Sequence, residues 1–230
     1  MGAQLRVFRR RIRSVQATKK ITKAMELIAS SRIVKAQQRL DASMPYLTQL
    51  VDAVSAAASH ASDVSKHPLT AKADKQERAA VLIITADRGL AGAYSTNSIK
   101  EGEALTRNLN DKGMTVLPFV VGRKGVSYYR FRGREMGGEY TGFTDQPSYA
   151  DAKRIGGDLL AAFYGDENQE GGVDEIHVVY THFINMGTQE TRVRRILPLE
   201  VVDEVIEPNE SGMPFPLYEF EPSSEGVLDA

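Results

Sequence analysis

A glycine-containing turn in the middle of the chain has the composition of a site that could bind phosphate. It reads Asp87-Arg88-Gly89-Leu90-Ala91-Gly92-Ala93-Tyr94 and joins a strongly apolar stretch to a predicted helix. Backbone N–H groups at the start of a helix can bind phosphate oxygens. The glycines match neither a G-x-G-x-x-G fingerprint nor a Walker A loop, because no Lys-Ser/Thr pair follows Gly92. A structural turn or a partner contact is therefore favoured over a nucleotide site, and Gly122-Arg123-Lys124-Gly125 is interpreted in the same way.

A run of cations near the start of the chain is the second group that could do chemistry. Solvated helix faces and nucleic-acid-binding arms both carry such runs. The cations here are spread around much of the helix circumference, without the aromatic interleaving that stacks bases. Nucleic acid is therefore not expected as a partner. The run comprises Arg6, Arg9, Arg10, Arg11, Arg13, Lys19, Lys20 and Lys23.

The histidines do not have the spacing of a metal site. There are four, at positions 60, 67, 177 and 182, and there is no cysteine. His177 and His182 are five residues apart in a predicted strand, so their side chains should point to opposite faces. No Ser/His/Asp grouping is suggested by proximity in the sequence. We therefore expect no cofactor, no metal and no catalytic site in this chain.

The charge of the chain is strongly asymmetric although its formal net charge is only −1. Residues 1–40 contain eleven Lys or Arg and one acid, a net of +10, so residues 41–230 carry −11. After Arg195 the chain contains nine acids and no Lys or Arg. This asymmetry predicts that the N-terminal region meets an acidic surface.

Composition also limits where the protein can act. The absence of cysteine excludes disulfide bonds and thiol regulation. No stretch of eighteen apolar residues is present, so no membrane-spanning helix is expected. The basic N-terminus lacks the apolar core of a secretory signal, and the helical pattern begins too early to leave room for a transit peptide.

The cations near the start must be positioned by one very long helix, predicted over residues 1–60. Small or apolar residues recur three and four positions apart for more than seven heptads, which is the pattern of a coiled coil. Such a helix would be roughly 80 Å long and could not cover its own apolar seam. Pro45 predicts a bend. The seam comprises Leu5, Phe8, Ile12, Val15, Thr22, Met25, Ile28 or Ala29, Ala36, Leu40, Leu47, Val51, Val54 and Ala58.

Strands and helices alternate in the rest of the chain. Residues 61–78 are predicted to be a charged linker, residues 79–206 a Rossmann-like α/β domain, and residues 207–230 an extended acidic tail. The predicted strands are apolar on both faces, which favours a layered domain whose sheet is at least partly parallel. We predict strands at 79–86, 114–121, 176–183 and 191–206, helices at 95–110, 124–131 and 148–164, and irregular structure at 132–142.

Three ordered motifs in this sequence resemble those of one family, the gamma subunits of F-type ATP synthases. The resemblance covers essentially the whole chain, and the long basic helix and the α/β region agree with it. The motifs are Ile12-Arg13-Ser14-Val15 followed by Thr18 to Glu26 and Ala29-Ser30-Ser31; Asp87-Arg88-Gly89-Leu90 with Gly92, Tyr94 and Asn97; and Phe183-Ile184-Asn185 with Gln189.

The resemblance implies a rotor. In that family the N-terminal helix pairs with a C-terminal helix to form a shaft inside a ring of alpha and beta subunits. The α/β domain contacts the epsilon subunit and the membrane c-ring. Rotation of the c-ring, driven by protons, is coupled to conformational change in the catalytic beta subunits. The implied location is peripheral, on the cytoplasmic face of a bacterial plasma membrane.

The resemblance also implies roles for particular residues. Those expected to face the moving loops of the beta subunits are Lys19, Lys20, Ile21, Thr22, Lys23 and Met25. The signature turn of the family's α/β domain corresponds here to Asp87, Arg88, Gly89, Leu90 and Gly92. A candidate regulatory loop, similar to an insertion in actinobacterial members, contains Gly165, Asp166, Glu167, Glu170 and Asp174.

The sequence also departs from the family pattern. Ala91, Ala93 and Ser95 stand where the family often has Cys, Gly and Asn. The family's C-terminal helix is not found before Ala230, so a further helical segment is expected in the complete subunit.

Two other functions remain open from the residues alone. A basic coiled-coil arm could serve nucleic-acid or scaffold assembly, which salt-sensitive DNA binding would reveal. A Rossmann-like nucleotide enzyme would instead require nucleotide binding by the isolated chain.

Overall fold

A computed structural model describes residues 2–60, 69–71, 75–165, 172–185 and 187–199. The chain divides into two compact units, one containing the long N-terminal helix and the other the α/β domain. In chain order the helices and strands are α1 (Gly2–His60), β1 (Arg78–Ile84), α2 (Tyr94–Asp111), β2 (Thr115–Val121), α3 (Arg123–Phe131), β3 (Gly138–Tyr140), α4 (Tyr149–Tyr164), β4 (Glu175–Asn185) and β5 (Thr188–Leu197).

Helix α1 is one continuous element of 59 residues that includes Pro45. Its hydroxyl side chains fold back onto the helix itself. The hydroxyl of Thr18 donates to the carbonyl of Ser14 at 3.1 Å, and that of Thr22 donates to the carbonyl of Thr18 at 3.0 Å. These bonds satisfy the polar hydroxyls locally and leave the apolar and charged side chains to define the surface.

The α/β domain is built on a five-stranded sheet with the order β3-β2-β1-β4-β5. Strand β1 pairs in parallel with both β2 and β4, and β2 pairs in parallel with β3. Strand β5 runs antiparallel to β4 and forms a hairpin with it. The predicted α/β class with a partly parallel sheet is therefore confirmed. Parallel strands also bring their carboxyl ends to one edge of the sheet.

Both faces of the sheet are covered by apolar side chains because successive residues of each strand point to opposite sides. On one side, Ala80 and Leu82 pack with Ile155 and Leu159 of α4. On the other side, the alternate residues of β1 (Ala79, Val81 and Ile83) pack with Leu109 of α2 and with Val126 and Tyr129 of α3. This three-layer packing fixes the strand ends that carry the candidate turn.

Two boundaries differ from the sequence prediction. The stretch 132–142 was expected to be irregular, but it contains β3, which pairs with β2. The last strand was expected over 191–206, whereas β5 spans Thr188–Leu197 and residues from 200 onwards lie outside the described part. The proposed domain limits at 61–78 and 207–230 fall largely outside the described residues and stay predictions.

Candidate functional site

The six residues expected to contact the beta subunits lie on exposed turns of α1. Lys19 and Lys20 are exposed, and Ile21 and Met25 expose 61% and 46% of their surface. Lys23 forms an exposed ion pair with Glu26 at 3.0 Å. Positions 19 to 23 span a full turn, since each residue advances about 100°. The six side chains are therefore distributed around α1, but Lys19, Thr22 and Lys23 share one face, beside Val15, Thr18 and Glu26.

An apolar surface runs along α1 beside these cations. Seventeen large apolar side chains between Leu5 and Val51 are exposed, by 43% to 68%. Examples that fall on the predicted heptad seam are Phe8, Leu40 and Leu47. The members of this set that lie on the seam form an exposed apolar stripe, which marks a site of protein–protein contact, whereas others, such as Leu27, lie elsewhere around α1.

The turn after β1 is organised by the carboxylate of Asp87. One oxygen, Oδ1, accepts a hydrogen bond from the backbone N–H of Arg123 at 3.1 Å. The other, Oδ2, accepts from the N–H of Gly142 at 2.8 Å and from both the N–H and the hydroxyl of Thr144, at 3.0 and 2.9 Å. The hydroxyl of Thr144 also accepts from the N–H of Asp87. Asp87 thus joins three loops at the carboxyl edge of the sheet.

These bonds determine the protonation of Asp87. Burial alone would raise the pKa of the carboxyl group, but the N–H groups of Gly142, Thr144 and Arg123 stabilise the ionised form and outweigh it. The pKa of Asp87 therefore lies below its ordinary value of 3.8. The carboxylate is ionised at neutral pH and only 6% of its side chain is exposed.

The same geometry favours one of the two interpretations of the turn. A phosphate would need free N–H donors at this edge of the sheet. The donors of Arg123, Gly142 and Thr144 already bond to Asp87, whose negative charge would also repel an anion. The turn is therefore built around an internal carboxylate, which favours a structural or partner-contact role.

The rest of the turn is held from both sides and presents Leu90 outwards. Nε of Arg88 lies 2.7 Å from the carboxylate of Asp145, and the N–H of Ala86 donates to the hydroxyl of Ser95. Leu90 has a φ of 66° and is 90% exposed. A left-handed backbone costs a residue other than glycine roughly 1–2 kcal/mol. The turn retains this cost although glycine would remove it.

The second glycine-containing turn, at 122–125, packs against the first. The hydroxyl of Thr85 donates to the carbonyl of Val121 at 2.6 Å and accepts from the N–H of Gly125 at 3.0 Å. Gly122 has a φ of 91°, and a Cβ there would lie 2.3 Å from the carbonyl oxygen of Thr85. Glycine is required because the two turns approach this closely.

The matches to known proteins now decide the family. A family model described as ATP synthase matches residues 4–230. The ATP synthase gamma chain of Kineococcus radiotolerans is 57% identical over 230 residues, which are all of this chain and 75% of that protein. The chain belongs to the ATP synthase gamma-subunit family. The gamma chain of Acidothermus cellulolyticus is also 57% identical, and that of Streptomyces coelicolor 54%, with 75% and 74% of their lengths covered.

A solved structure shares the fold of this gamma subunit. It is the Tetrahymena thermophila mitochondrial ATP synthase, central stalk and c-ring, with a TM-score of 0.56 and 20% sequence identity. The match covers 77% of this chain and 72% of that one. At this identity the likeness shows the fold.

The candidate regulatory loop of this gamma subunit is described only at its ends. Gly165 caps α4 with a φ of 74°, while Asp166, Glu167 and Glu170 lie outside the described residues. The carboxylate of Asp174 accepts from the N–H groups of Glu77 and Arg78 at 2.7 and 2.8 Å. Asp174 therefore anchors the start of β1.

Sequence reasoning missed a buried charged cluster where the gamma subunit's hairpin begins. His177 Nε2 lies 2.8 Å from Oε2 of Glu175, and Nη1 of Arg195 lies 3.5 Å from Oε1 of the same carboxylate. Glu175 and His177 are two apart in β4 and so share a face, a signal that was present in the sequence. Arg195 comes from β5, and only the strand register brings it close.

Among the described residues, no helix has the length and apolarity to cross a bilayer. Within the same ranges, no group of three His, Cys, Asp or Glu side chains is arranged to hold a metal ion.

Proposed function

We propose that this gamma subunit is the central rotor shaft of a proton-translocating ATP synthase. In this proposal α1 lies within the ring of alpha and beta subunits, and the α/β domain contacts the epsilon subunit and the c-ring. The chain transmits c-ring rotation to the beta subunits and performs no catalysis itself. The assembly lies at the cytoplasmic face of a bacterial plasma membrane.

The observation that carries this proposal is the uncovered apolar seam of α1. Burying one large aliphatic side chain stabilises a structure by about 1.5–3 kcal/mol, so many seam residues left in water represent a large unused stabilisation. A helix partner would bury the seam by knobs-into-holes packing. A two-stranded shaft is the simplest structure that uses both the length and the pattern of α1.

The charged side chains of α1 suit a surface that must change partners as it turns. Exposed ion pairs are worth about 0–1 kcal/mol each, so individual contacts can break and re-form. Lys19 and Lys23 share one face of α1, whereas Lys20 faces a different direction, so the cations meet different beta subunits at one time. A shaft shifts a neighbour between conformations only through contacts that differ between them, so this uneven surface is the coupling device.

The proposed lack of catalysis is supported by the turn after β1. This is the place in the fold where a nucleotide phosphate would be expected, at the carboxyl edge of a parallel sheet. N–H donors from the two neighbouring loops, those of Arg123, Gly142 and Thr144, bond to Asp87 of this turn. This arrangement supports a structural use of the edge.

A rotation measurement tests the proposal. These 230 residues contain no cysteine, so Lys112→Cys, at the exposed end of α2, provides a single attachment point among them, in a complete enzyme whose other cysteines have been replaced. With the catalytic head fixed to a surface, a bead on residue 112 should turn in steps when ATP is supplied and stop without it. Enzyme that hydrolyses ATP while the bead stays fixed relative to the head would refute the rotor function.

The acidic loop over residues 165–174 is proposed to modulate rotation by contacting a non-rotating neighbour. A Cβ at Gly172 would lie 3.0 Å from the N atom of Gly165, so deleting residues 166–171 leaves ends that can be joined. The deletion retains Asp174. We expect the deletion to alter the ratio of ATP hydrolysis to ATP synthesis in the complete enzyme. A triple variant that keeps the length of the loop but removes three of its charges should have the same effect; its substitutions are Asp166→Asn, Glu167→Gln and Glu170→Gln. Unchanged rates in both would show that the loop is passive.

A further inference from the structure

We propose that the end of helix α3 is a docking site for an acidic protein surface. The site, called the α3 tip below, consists of the exposed ring of Phe131 and the guanidinium groups of Arg130 and Arg132. The partner is defined by its chemistry, an apolar pocket bordered by carboxylates. The inference goes beyond the proposed function, because it assigns a partner to a surface that the shaft mechanism does not use.

The α3 tip lies at the opposite edge of the sheet from the turn after β1. Strands β2 and β3 are parallel neighbours, so the chain leaves β2 at the carboxyl edge and must return to the amino edge before β3 begins. Helix α3 makes most of this return, from Arg123 to Phe131. The tip is therefore a surface separate from the edge at which Asp87 joins three loops.

Phe131 is displayed to solvent at the last position of α3. Its side chain is 88% exposed, more than that of any other aromatic residue in the described ranges. The two preceding aromatic residues differ, because Tyr129 is buried and Tyr128 packs edge-on against it. A single exposed apolar side chain is ordinary on a protein surface. The significance of Phe131 comes from its neighbours, which hold both the backbone and the adjacent charges in place.

The chain reversal after α3 is fixed by backbone hydrogen bonds. The N–H of Gly133 donates to the carbonyl of Arg130 at 3.0 Å, and the N–H of Arg134 donates to that of Tyr129, also at 3.0 Å. Gly133 has a φ of 62°. These two bonds and the left-handed glycine form a Schellman motif, which ends a helix in one defined conformation. Phe131 is thus held on a rigid backbone before a partner arrives, so little entropy is lost on binding.

The arginines on either side of Phe131 are oriented by internal partners. Nε of Arg130 donates to Oε1 of Glu139 at 3.1 Å, and its Nη2 bonds to the second oxygen. The guanidinium carbon of Arg132 lies 5.4 Å from the centre of the Tyr128 ring. An arginine that is already oriented loses less rotamer freedom on binding than a mobile side chain does. Arginine and aromatic residues are also the types that are enriched at protein interfaces.

The charge of this region identifies the partner as acidic. Residues 123–134 contain four arginines and one lysine but no Asp or Glu. Where these cations pair, the cation is the more exposed member. The exposed fractions are 67% for Arg130 against 32% for Glu139, and 41% for Arg134 against 16% for Glu103. The outward surface is therefore positive, and complementarity predicts carboxylates around the pocket that receives the aromatic ring.

A protein fits the α3 tip better than nucleic acid or a bilayer. Single-stranded nucleic acid stacks its bases on successive aromatic side chains along a cationic groove, whereas the tip displays one exposed ring. Stable membrane binding needs a broad apolar face or a second anchor. A pocket that encloses one aromatic ring and excludes water around it is typical of the centre of a protein interface. An acidic protein therefore uses both the ring and the charges of the tip.

Photo-cross-linking identifies the partner. Benzoyl-phenylalanine replaces Phe131 in the full-length subunit in intact cells, the cells are irradiated, and the cross-linked peptide is sequenced. We expect one protein, with apolar residues flanked by Asp or Glu at the cross-link. The matched control carries the same probe at Tyr149, an exposed aromatic residue on α4, and should not give that product. Cross-links to phospholipid or nucleic acid, to many unrelated proteins, or to none would overturn the proposal.

Charge reversal separates docking from structure. Arg132→Glu places an anion against the partner's carboxylates, so it should lower the yield of the cross-link at position 131 by about tenfold or more. Exchange of one of those carboxylates for Lys should restore much of the yield. The urea midpoint of the purified Arg132→Glu chain should stay close to that of the wild type, because the substitution is at the surface. An undiminished yield in Arg132→Glu would show that charge does not select the partner and would overturn the docking role.

The docking role and the rotor function fail separately. A bead on residue 112 that stays fixed during ATP hydrolysis would overturn the rotor function, whatever the cross-links show. Normal rotation of the bead, together with a cross-link that Arg132→Glu does not weaken, would overturn the docking role alone.

Discussion

At the level of single residues, Asp87 holds together a turn whose composition is that of a possible phosphate site. Loops at the carboxyl edge of a parallel sheet leave N–H groups that strands and helices do not use. In many folds a bound phosphate satisfies them. In this domain an internal carboxylate does so, because Asp87 reaches the N–H groups of Arg123, Gly142 and Thr144.

Replacing Asp87 by Asn should lower the free energy of unfolding of the α/β domain by about 2–3 kcal/mol, since hydrogen bonds to a charged acceptor are strong and the NH2 group of Asn replaces one of the two accepting oxygens. Seven of the nine tyrosines lie in residues 78–199 and there is no tryptophan, so urea unfolding followed by tyrosine fluorescence reports mainly on this domain. Asp111→Asn, at the exposed end of α2, is the control and should change stability by less than about 0.5 kcal/mol. Equal effects of the two substitutions would contradict the assigned role.

The lowered pKa of Asp87 makes its contribution depend on pH. A carboxyl group whose pKa is depressed by folding stabilises the folded state above its unfolded pKa, and this stabilisation is lost as the pH falls through the folded pKa. The stability gap between wild type and Asp87→Asn should therefore be constant near neutral pH and shrink below about pH 4. Urea midpoints measured from about pH 7 to about pH 3 would reveal this. A gap that widens with acid would show that Asp87 is not the titrating group.

At the level of helices and strands, regular apolar patterns were enough to predict most of the fold. The long periodicity of α1 and the apolar runs of β1 and β2 fall within a few residues of their observed limits. Strand β3 was missed because it has only three residues and its glycines were interpreted as irregular structure. A Cβ at Gly138 would lie 2.8 Å from Phe119, so glycine is what allows this edge strand to approach β2.

The candidate site was less accessible to sequence reasoning than the fold. The motif that contains Asp87 was recognised, but its partners Gly142 and Thr144 lie 55 and 57 residues away. The backbone angle of Leu90 leaves no trace in composition, since leucine is an unfavourable residue for it. Likewise, the pairing of Glu175 with Arg195 depends on strand register, which no local pattern records.

Two substitutions in and beside helix α4 should change the stability of the domain in opposite directions. Ser148 forms a capping box with Asp151, in which each side chain bonds to the other's backbone N–H. Ser148→Ala should therefore cost about 1 kcal/mol of domain stability. Gly157→Ala should instead add up to about 1 kcal/mol, because alanine favours the helix and a Cβ there would meet nothing within 4 Å. Urea unfolding of both variants checks the pair, and a loss of stability in Gly157→Ala would indicate an unrecognised contact on that face.

At the level of the whole molecule, the chain combines two units with different requirements. The α/β domain covers both faces of its sheet with its own helices. Helix α1 has large apolar side chains exposed along most of its length. Helical stability in proteins comes mainly from packing an apolar face. The α/β domain therefore buries its apolar surface by itself, whereas helix α1 requires a partner to bury its own. This difference is why a shaft function follows from the chain as a whole.

Self-association of the purified chain tests whether α1 requires a partner. Without its partner, the seam should drive self-association, so the average mass in sedimentation should rise with protein concentration. Leu40→Glu or Leu47→Glu should abolish this rise, because a charge in the seam opposes pairing while Glu remains a good helix former. Leu27→Glu is the matched control, since Leu27 is also an exposed leucine but lies on the opposite side of α1. Equal loss of association in all three variants would mean that general hydrophobicity, and no defined seam, holds the chains together. A wild-type chain that stayed monomeric at every concentration with α1 fully helical would contradict the need for a partner on which the shaft interpretation depends.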